Sequence, residues 1–72
     1  MKKYYVLRDA SSFKYVQKEE GRNNVLMSSF AMDCNRFTTV GKAEKFLEEI
    51  QELATGYFEI VPIYTNKPSE NT

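Results

Sequence analysis

Between Val40 and Ala54 the apolar residues fall at Val40, Ala43, Phe46, Leu47, Ile50, Leu53 and Ala54. This is the three-four spacing that lines one side of a helix. A lone helix cannot bury such a stripe against itself. Its cover must come from the rest of a 72-residue chain, and the rest reads as strands. Thr39 stands where an N-cap hydroxyl would accept a bond from a free first-turn amide. Gly56 stands where a left-handed residue would close the other end, so the pattern predicts a helix over about Val40 to Thr55.

Lys3 to Arg8 (Lys-Tyr-Tyr-Val-Leu-Arg) is rich in aromatic and β-branched residues and predicts a first strand. Asp9-Ala10-Ser11-Ser12 brings side chains that bond backbone amides locally, and so marks a turn. Phe13 to Lys18 alternates and predicts a second strand. Glu19 to Asn23 is a polar turn in which Gly21 offers positive φ. Asn24 to Ser29 predicts a third strand around Val25, Leu26 and Met27. Phe30 to Arg36 reads as a loop with Met32 and Cys34 as anchors. Tyr57 to Tyr64 predicts a fourth strand, in which Pro62 requires an end, a bulge or an edge position. Residues 66–72 carry no apolar anchor and read as a disordered tail after a single domain over 1–65.

The expected fold is α+β, in the order β-β-β-α-β, with one helix on one face of a four-stranded mixed sheet. Three strands joined by short connections form an antiparallel meander. A helix then returns the chain, so the fourth strand is expected to run parallel to the first and third. Placing it beside the first strand, in the order 3-2-1-4, sets Tyr4 to Leu7 in the sheet centre.

The run Phe37-Thr38-Thr39-Val40-Gly41-Lys42-Ala43-Glu44-Lys45-Phe46-Leu47, followed by Phe58-Glu59-Ile60-Val61-Pro62, resembles short uncharacterised proteins of phages and prophages in Gram-positive bacteria. In those chains a strand meander leads to an aromatic residue, a capping Ser or Thr, and a helix opening near an Ala-x-x-Phe step. The resemblance spans residues 37–64 and implies an accessory role in a mobile element. It carries no functional residues across.

Several chemistries lack their usual groups. The chain has no histidine and only one cysteine, Cys34, so an intrachain disulfide and a tetrahedral zinc site are both excluded. That cysteine usage suits a reducing cytoplasm. No Gly-rich phosphate loop exists, because the three glycines are scattered at 21, 41 and 56. A catalytic acid needs burial or a close like charge. Turn positions (Glu19, Glu20) and a helix surface (Glu44, Glu48, Glu49, Glu52) supply neither. Cys34 would be a reactive thiol only if Arg36 lowered its pKa. The expectation is a protein without catalytic site, metal or cofactor, and without a segment able to span a membrane.

Two surfaces stand out. Glu44, Glu48 and Glu52 recur at i, i+4 and i+8, with Glu49 alongside, a spacing at which like charges repel. That stripe is a candidate partner-binding surface. The second is the sheet, since one helix covers only one face. Alternation groups Tyr4, Val6, Phe13, Tyr15, Val25, Met27, Phe58 and Ile60 in one set. Tyr5, Leu7, Val16, Leu26, Val61 and Ile63 form the other, offered as the interface. A face left with aromatic and aliphatic groups marks a contact surface, and a sheet-to-sheet homodimer is expected from it. Taken with the resemblance, these surfaces give an expected function of binding and modulating a host or phage protein, with a plain dimerisation domain as an alternative. Single-stranded nucleic acid stacking on the aromatic sheet ranks lower, because the chain is formally neutral.

Overall fold

The computed structural model describes residues 2–65, and the tail over residues 66–72 lies outside them. Its elements are β1 (Lys2–Asp9), β2 (Tyr15–Gln17), β3 (Leu26–Ser28), a 3-10 turn (Ala31–Asp33), α1 (Val40–Leu53) and β4 (Phe58–Thr65). The four strands form one sheet in the order β3-β2-β1-β4, with α1 between β3 and β4 in sequence. This is the α+β arrangement and strand order that the sequence implied.

The direction of β4 differs from expectation. It pairs antiparallel with β1, from Lys2 opposite Thr65 to Asp9 opposite Phe58, so the sheet is antiparallel throughout rather than mixed. The reason lies in residues 35–37, read from sequence as plain loop. β1 and β2 pair side by side only at Arg8 and Tyr15. Where they diverge, this segment enters between them. Asn35 N–H donates to Val16 O (3.3 Å), and Phe37 exchanges backbone bonds with Tyr5 (2.8 and 2.9 Å) in an antiparallel bridge. The chain has thus made one extra pass before the helix begins. The helix carries it back, and β4 starts beside Asp9 running the opposite way to β1.

Asn35 fixes that pass. Its side-chain oxygen accepts from Lys18 N–H (2.7 Å) and its amide donates to Lys18 O (3.0 Å), standing in for the strand that β2 lacks there.

The helix starts as its sequence requires. Thr39 is extended, and its Oγ1 accepts from Lys42 N–H at 3.2 Å. It stops earlier than expected, because Ala54 already turns extended (φ −144°). Gly56 lies two residues beyond with φ +144°, a backbone that side chains resist.

Ala43, Phe46 and Ile50 pack onto Leu7 and Val16 to make the core, with Tyr5, Phe37, Leu47, Phe58 and Ile60 at its margin. The Phe37 and Phe46 rings lie 5.0 Å apart at 43°. Each fully buried aliphatic side chain contributes roughly 1.5–3 kcal/mol. Pro62 sits in β4, an edge strand, opposite Tyr5. Tyr5 spends its backbone groups on Phe37, so Tyr5 and Pro62 form a non-hydrogen-bonded pair. The missing proline N–H would have pointed outward, away from β1.

Candidate functional site

The register sorts the side chains into two faces differently from the expected sets. Partners across an antiparallel ladder share a face, and β1 pairs Leu7 with Ile60 but Val6 with Val61. Tyr5, Leu7 and Val16, offered from sequence as an interface, therefore lie under the helix with Phe58 and Ile60. Leu26, Val61 and Ile63 lie on the other face with Tyr4, Val6 and Tyr15. Alternation within one strand is secure, but its phase passes to the next strand only through the register, which sequence did not give.

On the face away from the helix, Tyr4, Tyr15, Val61 and Ile63 are half-buried and Leu26 is exposed. Val6 is fully buried at its centre, opposite Val61 and flanked by Tyr4 and Arg8. It stands outside the helix-side core, as does the buried Cys34. Cations border this face. The Arg36 guanidinium lies over the Tyr4 ring at 5.2 Å. Arg8 bonds Glu59 Oε2 through Nε (2.9 Å) and Nη2 (2.6 Å), and lies 5.3 Å over the Phe13 ring. Lys2 follows the same alternation, so that among the described residues three cations border this face with two carboxylates, Glu59 and Asp33, whose Oδ2 lies 3.5 Å from the Oγ of Ser28, opposite Tyr15.

Phe13 has an unusual setting. It is 63% exposed with φ +61°, the left-handed region that a bulky residue adopts only under constraint. The turn before it supplies the constraint. Asp9 Oδ1 accepts from Ser11 N–H (3.2 Å), Asp9 Oδ2 from Ser12 Oγ (2.8 Å), and Asp9 O from Phe13 N–H (2.8 Å). The Ser12 hydroxyl, followed by the Ser11 N–H, also holds the Asp9 carboxyl below its ordinary value. The α1–β4 connection is tied to the same turn, since Ala10 N–H donates to Tyr57 O at 2.8 Å.

The glutamate stripe divides. Glu44, Glu48 and Glu52 are exposed. Glu49 reaches Lys18 Nζ at 2.6 Å, and the Lys18 side chain is only 6% exposed. Glu49 is thus an internal partner of the strand layer rather than a fourth member of a free stripe. An open cleft of about 480 Å³ lies beside this ion pair, lined by Lys18, Glu20, Gly21, Asn35, Phe37, Phe46 and Glu49. No sequence motif announces it, because it forms where β2 ends and residues 35–37 begin.

Cys34 Sγ donates to Ala31 O at 2.9 Å, and burial pushes its thiol above the ordinary value despite the opposing charge of Arg36. The lowered pKa that a nucleophile needs is not what this site provides. Among the described residues no group of three or more His, Cys, Asp or Glu side chains is placed to hold a metal ion. No helix among them is long and apolar enough to cross a membrane. Compared with protein-family models, curated proteins and solved structures, the chain matches none.

Proposed function

We propose that this chain is a non-enzymatic binding protein whose working surface is the sheet face away from the helix, and whose partner is another protein. The observation that supports this most is the character of that face. It combines half-buried Tyr4, Tyr15, Val61 and Ile63 with exposed Leu26, and the described residues hold one α-helix for the sheet's two faces. Aromatic, aliphatic and arginine side chains are the groups that dominate protein interfaces. In line with the resemblance, the reading is of an accessory protein in a reducing cytoplasm that modulates a host or phage target by occupying it.

The same face disfavours a sheet-to-sheet homodimer. Among the described residues it carries Lys2, Arg8 and Arg36 against Glu59 and the Asp33 carboxylate beside Ser28, a small cationic excess that a second copy would meet with its own. Edge pairing through β4 fares no better, because Pro62 interrupts its outer row of donors.

Affinity capture from host or infected-cell lysate tests the reading, with Ile63→Lys as control. The wild type should retain a protein in stoichiometric amount, and the variant should lose it at unchanged circular dichroism. Retention that is indifferent to Ile63 would remove this face from consideration. A second reading, single-stranded nucleic acid, draws on Arg36 lying over Tyr4, a cation beside a ring that could stack a base. Salt-sensitive binding of an oligothymidylate that Tyr4→Ala abolishes would favour it.

A further inference from the structure

We infer that this chain associates with itself through a different pair of surfaces, with Phe13 of one copy seated in the Phe37–Phe46 cleft of another. The inference does not rest on the sheet-face reading, although Phe13 stands at the border of that face beside Arg8.

The knob is built rather than incidental. A strained backbone persists only where its surroundings enforce it, and such strain gathers at functional positions. Here the enforced conformation serves to hold a large apolar ring 63% exposed to water. Three hydrogen bonds to Asp9 fix the turn, and a fourth, from Lys14 N–H to Ser12 Oγ (3.3 Å), closes it. Arg8 lies over the ring and is itself held by two bonds to Glu59. The ring is therefore presented in one orientation, which lowers the entropy lost on docking.

The hole has matching chemistry. Its aromatic lining, Phe37 and Phe46, offers the tilted or edge-to-face packing that an entering ring prefers. Lys18 stands at the wall with its ammonium held by Glu49, which leaves the two rings as the groups that meet an entering side chain. The charges at the two rims are also complementary. Lys14, next to Phe13, and Glu20, at the cleft, are both exposed, and neither has an ion-pair partner among the described residues.

Knob and hole are different surfaces, so the contact is heterologous. That gives the test its sharpest form, using the full chain and two variants that avoid the core. Phe13→Gly removes the knob and suits the positive φ. Glu20→Trp fills the cleft from its exposed rim. Sedimentation equilibrium between about 1 µM and about 1 mM should show wild-type mass rising above 8.4 kDa, and each variant alone remaining at 8.4 kDa. An equimolar mixture of the two variants should recover one intact contact and sediment at twice 8.4 kDa. Circular dichroism confirms that both variants fold. A monomeric wild type, a Phe13→Gly variant that associates like wild type, or a mixture that stays monomeric would each overturn the inference.

Discussion

Breaking the Lys18–Glu49 pair from its two ends should give opposite results. Lys18 is 8% exposed overall, and its Nζ has Glu49 Oε2 at 2.6 Å and Glu19 O at 3.3 Å. Glu49 keeps half its side chain in water. Attraction between unit charges 4 Å apart near a protein surface is about 4 kcal/mol, while dehydrating an ammonium group costs several kcal/mol. The two terms nearly cancel while both partners are present. Glu49→Gln removes the attraction and leaves the dehydration cost, relieved only by Glu19 O. Loss of one partner from a fully buried pair costs about 3–5 kcal/mol. The wet side of Glu49 reduces the expected loss to about 1–3 kcal/mol. Lys18→Met deletes both terms and keeps an unbranched apolar chain, so it should lie within about 1 kcal/mol of wild type. The double variant should match Lys18→Met, which gives a coupling of at least about 1 kcal/mol. Urea denaturation followed by circular dichroism measures all four corners of the cycle. Additive effects, or a Lys18→Met variant less stable than Glu49→Gln, would refute the argument. The expected losses are large against a total stability of roughly 4–11 kcal/mol for a chain of this length.

Ile50→Ala should cost about 2–5 kcal/mol, because Ile50 is fully buried in the core, and Leu47→Ala should cost clearly less, because Leu47 is half-buried; equal midpoint shifts in urea would contradict the placement of the helix. Cys34 should react with a disulfide reagent at neutral pH far more slowly in the folded protein than in urea, since burial raises its pKa and shields it. Asp9 has a folded pKa below its ordinary value of 3.8, so its contribution is present above that value and is lost as pH falls through the folded one. Asp9→Asn should therefore flatten the acid limb of the stability curve, and an unchanged limb would exclude Asp9 as a source of it.

The parts of the fold legible in the sequence rest on local chemistry. Val40 to Leu53 declares its helix by spacing and its start by Thr39, and both stand in the structure within a residue or two. β1 and β4 are eight residues each and rich in β-branched and aromatic residues, and they too stand. What escaped depends on contacts distant in sequence. Nothing local in Asn35-Arg36-Phe37 says that Asn35 will bridge Lys18 or that Phe37 will pair with Tyr5, and that one pass reversed β4. The interface set divided at the same level, with Tyr5, Leu7 and Val16 under the helix and Leu26, Val61 and Ile63 on the open face. A single-residue change of register moves every side chain of a strand to the other face, and register is a property of pairs. Glu49 shows the limit for the candidate stripe. Its helical position was correct, but its use was decided by a buried lysine 31 positions earlier. Phe13 left one trace in sequence, a large apolar residue directly after a turn of Asp and Ser, where strand alternation absorbed it.

The most direct test of the sheet face as the working surface is amide chemical-shift mapping. The isotope-labelled chain would be titrated with the protein recovered by affinity capture. Shifts should concentrate at Tyr4, Val6, Tyr15, Val61 and Ile63, with the amides of Glu44, Glu48 and Glu52 unmoved. Shifts gathered on the helix stripe, with β1 and β4 unchanged, would contradict the account.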